Sequence, residues 1–168
     1  QTNLIVVGDN IIESLSDTKT PQGLIAIVNF SEKPLKAPNN NFVVLENLQD
    51  AGNLGTIIRS CKGTNFNDIF LINCVSFYNQ KVIRSAMGNI FDVSLHSFKT
   101  TSEFLNFAKQ NSLQLAVADM NGENLFKIKT KPQRLGIVIG NEGKGATQEI
   151  KDYCKKTISI PMKNNLES

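Results

Sequence analysis

Apolar residues come in short blocks separated by polar, glycine-rich stretches, and the spacing inside each block decides between strand and helix. Phe42–Leu45, Ile69–Ile72, Leu115–Ala118 and Leu135–Ile139 are apolar almost throughout, which predicts strands buried on both faces. Ile90–Leu95 reads as a further strand and Thr157–Ile160 as a last one. Between them, Leu54, Ile57, Ile58 and Cys61 recur at helical spacing. Val82–Met87 predicts a short helix ending at Gly88, and Thr147–Lys155 another helix. Thr100-Thr101-Ser102-Glu103 matches a capping box, opening a helix whose apolar face is Phe104, Leu105, Phe107 and Ala108. Strands alternating with helices predict an α/β domain with a mostly parallel sheet flanked by helices.

The first thirty residues follow a smaller pattern. Leu4–Val7 is a strand-like run, Ile11, Ile12 and Leu15 are helix-spaced, and Gly23–Val28 is strand-like again, a small β-α-β unit. Ser31–Asn41 (SEKPLKAPNNN) is polar and punctuated by two prolines, and reads as a linker. The expected organisation is therefore residues 1–30, a linker at 31–41, and a main domain over 42–168.

Composition narrows the classes. With 40% apolar and 20% charged residues among 168, the chain is long enough for one sizeable core and carries no disorder signature. No apolar stretch approaches the ~20 residues that cross a bilayer, and no signal peptide stands at the start. The net charge of +3 permits an anionic partner without demanding one. Cys61, Cys74 and Cys154 are far apart and odd in number, as in a reduced, cytoplasmic protein. One histidine, His96, with scattered cysteines cannot build a tetrahedral zinc site, so no metal is expected. The chain begins at Gln1 rather than Met and stops at Ser168 in an unfinished segment, so it reads as a piece of a longer protein.

In open α/β sheets ligands gather in the loops beyond the carboxyl ends of strands, and three such loops stand out. The first, ENLQDAGNLGTIIRS, places Asn53 as a candidate helix cap and Arg59 six residues further on; on spacing alone a capped helix with a solvated arginine is the simpler reading. The second, Gly140–Gly145 (GNEGKG), has glycines that let backbone amides approach a ligand, with Glu142 held at a strand end; a plain glycine turn is the alternative. It is not a P-loop, because Gly143-Lys144 is followed by Gly145 rather than Ser or Thr. The third, ISIPMKNNLES, must leave its ladder at Pro161, freeing backbone groups near Ile160–Met162; an edge strand with a stop signal reads the same way. Lys127, Lys129, Lys131 and Arg134, and Lys151, Lys155 and Lys156, suit phosphates or a solvated charged face.

Taken in order, these segments resemble the SpoU/TrmH family of SPOUT RNA methyltransferases. NLQDAGNLGTIIRS is similar to its first motif, GIVIGNEGKG to its second and ISIPMKNNLES to the opening of its third; KVIRSAMGNIF stands where the family often has R-x-S-x-G. The likeness covers about Phe42 to Ser168, and LSDTKTPQGLIAIV is similar to the tail of the L30e-like RNA-binding domain that often precedes it. The resemblance implies a SPOUT-type sheet with a C-terminal trefoil knot, a rare exception to the no-knot rule. It implies S-adenosyl-L-methionine as cofactor, contacted at Gly140 and Ile160 with neighbouring Ile139 and Met162. The family's catalytic places fall on Asn53, Arg59, Glu142 and Ser168, and Arg59, Arg84 and Lys144 would meet RNA. A homodimer is implied, with both subunits contributing to each site.

The family's third motif continues past this serine as S-L-N-V-S, a stretch absent here, so the catalytic domain is expected to be C-terminally incomplete. The implied chemistry is methylation of a ribose 2′-hydroxyl in RNA, ribosomal RNA before transfer RNA. A guanidinium pKa above ~12 makes Arg59 easier to accept as a phosphate anchor than as a free base. The alternatives are an RNA-binding or assembly protein that kept the fold without turnover, and a nucleotide-binding α/β domain of unrelated chemistry.

Overall fold

The computed structural model describes residues 3–16, 18–29, 33–129 and 133–162. The chain divides into two compact units, Gln1–Ser31 and Glu32–Ser168. In the first, helix α1 (Asp9–Leu15) forms as the spacing predicts but buries no residue. The two strands expected at Leu4–Val7 and Gly23–Val28 do not form. A strand exists only through its ladder, and neither run has a partner there. Leu4, Val6 and Ile27 are accordingly among the exposed apolar residues.

The second unit holds β1 (Phe42–Glu46), α2 (Ala51–Gly63), β2 (Asp68–Ile72), α3 (Gln80–Ser85), a 3-10 turn at Asn89–Phe91 and β3 (Ser94–Phe98). It continues with α4 (Thr101–Gln110), β4 (Gln114–Asn124), a second 3-10 turn at Leu125–Lys127, β5 (Leu135–Ile139), α5 (Gln148–Tyr153) and β6 (Lys156–Ser159). The six strands form one sheet in the order β3-β2-β1-β5-β4-β6, and every pairing is parallel. The mostly parallel sheet of the sequence reading is thus wholly parallel.

Burial on both faces explains the unbroken apolar runs. Phe42 and Val44 of β1, Phe70 and Ile72 of β2, Leu115 and Val117 of β4 and Val138 of β5 pack with Phe104, Leu105 and Ala108 of α4 and Ile150 of α5. Phe70 is the hub, with ring centroids of Phe42, Phe98, Phe104 and Phe107 at 5.4–6.2 Å. The alternate strand residues Val43, Leu45, Ile69 and Leu71 are buried on the opposite face, which leaves that side for Leu54, Ile58 and Cys61 of α2. Gly136 of β5 is required by crowding, since a Cβ there would lie 2.4 Å from the Phe42 ring and 2.6 Å from Leu115.

The helices expected at Val82–Met87 and Thr147–Lys155 form at Gln80–Ser85 and Gln148–Tyr153, and two strand boundaries differ more. The strand read at Ile90–Leu95 begins only at Ser94, because Gly88 turns the chain at φ 83° and Asn89–Phe91 closes a 3-10 turn first. β4 runs well past Ala118 to Asn124, with a register irregularity against β6 between Ala118 and Glu123. The expected knot draws on residues 163–168, which lie outside the described residues.

What matters for function is the reversal of strand order. From β1 the chain steps outward through β2 to β3, then crosses over and later inserts β5 on the other side of β1. The carboxyl ends of β1 and β5 therefore diverge into different loops, and the crevice between them is where a ligand site is expected.

Candidate active site

The crevice is built by the loops after β1 and β5. At the end of β1, Asn47 takes a left-handed conformation (φ 58°) that asparagine tolerates, and its N–H donates to the Ile72 carbonyl at 2.9 Å. The chain then enters α2, whose cap is Asp50: its Oδ1 accepts from the Asn53 N–H at 2.7 Å. Asn53 was the expected cap; it stands instead at the third helical position, because Asp50 reaches the same orphan amides from one residue before the helix. Backbone N–H donation from Asn53, with Lys81 3.5 Å away, holds the Asp50 carboxyl below its ordinary value.

Freed from capping, the Asn53 side chain crosses the crevice. Its Nδ2 donates to Glu142 Oε1 at 2.9 Å, joining the first loop to the second across 89 residues of sequence.

The second loop is a closed ring. Asn141 N–H donates to the Gly145 carbonyl at 3.1 Å and Gly145 N–H returns to the Asn141 carbonyl at 2.8 Å. Asn141 Oδ1 also accepts from the N–H groups of Gly143 (3.0 Å) and Lys144 (3.1 Å). Gly145 sits at φ 69°, and a Cβ on Gly140 would come within 2.1 Å of the Ala146 nitrogen. Both positions therefore demand glycine.

Glu46, the last residue of β1, is fully buried. Its Oε1 accepts from the hydroxyls of Thr101 (2.6 Å) and Thr147 (2.7 Å), and its Oε2 from the Thr147 N–H (2.7 Å). These donors stand at the N-termini of α4 and α5, where partial positive charge favours a carboxylate. Burial first, and the negative charge of Glu46 to a lesser degree, push the Cys74 thiol up to about 11 and the Cys154 thiol up to about 12. Neither cysteine is a thiolate nucleophile at neutral pH.

Of the residues singled out from sequence, the structure brings Asn53 and Glu142 into contact, and sets Ile139 and Gly140 at the end of β5, with Ile139 paired to Leu45 of β1. Arg59 lies six residues beyond Asn53 on α2, exposed and turned away from it around the helix. Arg84, on α3, and Lys144, in the glycine loop, are also exposed. Gly55 of α2 packs against Ser85 of α3 so closely that a Cβ would lie 1.8 Å from Ser85 Oγ, which brings the helices bearing Arg59 and Arg84 together. Ile160 and Met162 follow β6 with 65% and 46% of their surface exposed. Ser168 lies outside the described residues. Sequence reading missed Glu46, Asn47 and Asn141. Its one available signal was a carboxylate ending the apolar run Phe42–Leu45.

The model of the SpoU rRNA Methylase family matches residues 40–168. An uncharacterized tRNA/rRNA methyltransferase of Synechocystis sp. is 26% identical over 167 residues, covering 97% of this chain and 61% of its own length. A 23S rRNA (guanosine(2553)-2'-O)-methyltransferase of Bacillus subtilis is 23% identical over 164 residues, covering 97% and 65%. An AdoMet-bound rRNA methyltransferase from Sinorhizobium meliloti superposes with a TM-score of 0.87 at 22% identity, covering 96% of this chain and 64% of that one. The chain thus spans a little under two thirds of the length of these proteins, and the superposition shows a shared SPOUT-type fold. Since the matched region contains all six strands and both crevice loops, the chain belongs to the SpoU rRNA methylase family.

Proposed function

We propose that this chain carries the catalytic unit of an S-adenosyl-L-methionine-dependent methyltransferase acting on a ribose 2′-hydroxyl of RNA, ribosomal RNA before transfer RNA, as a homodimer. The observation that carries the reading is the Asn53–Glu142 contact at the switch point, which joins first-motif and second-motif residues in one crevice. The names of the Bacillus and Sinorhizobium relatives supply the reaction, substrate and cofactor class. Residues 1–30 are proposed as the tail of an L30e-like RNA-binding domain.

The residues present suit the cofactor. The ring closed by Asn141 and Gly145 packs its own backbone where a side chain at Gly140 would stand, which keeps the turn beyond β5 tight at the crevice. Ile160 and Met162 offer uncovered apolar surface for an adenine, two strands along the same sheet edge. When bound, the cofactor supplies a methyl on a positively charged sulfur. Bringing the 2′-hydroxyl in line with that methyl is the protein's main task. Asn53 and Glu142 fix each other and face the ribose. Arg59 stays cationic, holds the target phosphate and lowers the hydroxyl's pKa, with Arg84 and Lys144 extending the basic edge. Ser168 completes the set by helping to place the target.

The test is to incubate the full-length protein with tritiated S-adenosylmethionine and total RNA, then map the labelled nucleotide. Label on a ribose 2′-oxygen supports the reading; RNA binding without transfer would replace it with a non-catalytic binding protein. Transfer at near wild-type rate by Arg59→Ala would remove Arg59 from the mechanism.

A further inference from the structure

The two ends of the glycine loop are held by two consecutive residues of the chain. At the entrance, Asn141 Nδ2 donates to the Asn47 carbonyl at 3.0 Å. At the exit, Thr147 gives both its N–H and its hydroxyl to Glu46, and makes no side-chain cap for its own helix α5. Glu46 is the one fully buried charged side chain among the described residues, and the transfer chemistry has no direct use for it. A buried carboxylate persists only where its hydrogen bonds are satisfied, and two of its three come from the loop's exit.

We propose that Glu46 and Asn47 form a clamp on the loop 140–147, and that Glu46, Thr147 and Asn141 are positioning residues that hold Glu142 against Asn53. The proposal rests on reading Glu142 as part of the transferase site. Glu142 itself is exposed, and the one side-chain hydrogen bond it makes among the described residues is the one from Asn53. Its place is therefore set by the ring on which it rides. Glu46 at the end of β1 and Asn47 just past it fix that ring at both ends, and Asn53 follows a few residues on in α2.

The experiment uses the full-length protein and loop-side variants that leave Glu46 in place. Thr147→Val removes one donor while keeping shape and N–H. It lowers kcat about tenfold, the effect of one lost positioning contact, with KM for RNA unchanged within about twofold. Thr147→Ser restores the rate. In a Glu142→Ala background Thr147→Val has no further effect on kcat, since both changes act through one group. Unchanged kcat in Thr147→Val, or losses that multiply in the double variant, would overturn the positioning role. A second measurement is independent of turnover: in Thr147→Val, which leaves the Asn141 acceptor of the Gly143 and Lys144 amides in place, those amides exchange hydrogen about tenfold faster than in the parent. Unaltered exchange would overturn the clamp even in a protein that transfers no methyl. Full activity in Glu142→Ala would sink the site reading and the positioning role with it, while the exchange result still decides the clamp.

Discussion

The two loops that make the crevice are held over very different spans of sequence. The β1–α2 loop is held from nearby in the chain: Asp50 accepts from the Asn53 amide three residues on, and Asn47, Leu48 and Gln49 bond to Ile72, Asn73 and Val75 at the end of the next strand. The β5–α5 loop borrows its support. Thr147 ignores its own helix and reaches Glu46, 101 residues earlier, while Asn141 reaches Asn47, 94 residues earlier. The first loop has its supports once β1, α2 and β2 have come together. A loop held by a distant strand has its shape only when the sheet is complete, so the residue it carries is placed by the fold as a whole.

This contrast can be broken from the distant side with the largest effect. Glu46→Ala strands three hydrogen-bond donors in a buried place; at about 1 kcal/mol or more each, thermal denaturation should show a loss of ~3 kcal/mol and a fall in Tm of about 6–12 °C. Next comes Gly140→Ala, whose Cβ would press on the Ala146 and Gly145 backbone. It should weaken S-adenosylmethionine binding by about tenfold or more in calorimetry, the size of effect a 1–3 kcal/mol overpacking strain produces, and change Tm less than Glu46→Ala does. Asp50→Ala should lower Tm less again, and leave hydrogen exchange in residues 140–147 unchanged. Because folding depresses the Asp50 carboxyl below 3.8, its contribution is present above that pH and disappears as pH falls through the folded value. The Tm gap between parent and Asp50→Ala should therefore close below pH 3.8. The smallest effect sharpens the comparison: Cys154 in the native protein should alkylate slowly at pH 8, and only slightly faster in Glu46→Gln, since burial is the main cause of its raised pKa and the Glu46 charge the lesser.

The same contrast explains what was readable in the chain. Strand β5 was legible to the residue, because a run bounded by Arg134 and Gly140 and buried against neighbours has one interpretation. The capping box at Thr100 was equally plain: Thr100 accepts from the Glu103 amide, while the Glu103 carboxylate takes the amide of Lys99, one residue further back than the motif usually reaches. On the sequence reading Asn53 is the cap and Asp50 is passed over, although aspartate caps as well as asparagine; the helix start at Ala51 gives the role to Asp50. The apolar Ile90 misled because packing buries it from a 3-10 turn as fully as from a strand. Leu4–Val7 and Gly23–Val28 misled because apolar periodicity states a preference for pairing and says nothing of whether a partner exists. Among candidate site residues, Asn53, Gly140 and Glu142 were visible from their short glycine-rich segments. Glu46, Asn47 and Asn141 were not, since their roles are bonds to residues about a hundred positions away.

The insertion of β5 beside β1 also sets a timetable. β1 can pair with β2 as soon as the chain has passed Ile72, but its other edge waits for Leu135–Ile139. At synthesis rates of ~5–20 residues per second that edge stays open for several seconds, a bare row of amides and carbonyls able to recruit another chain. Long-range parallel pairing of this kind folds slowly. Misassembly should thus strike first at the central strand, and no species that lacks β5 can display the paired Asn53 and Glu142.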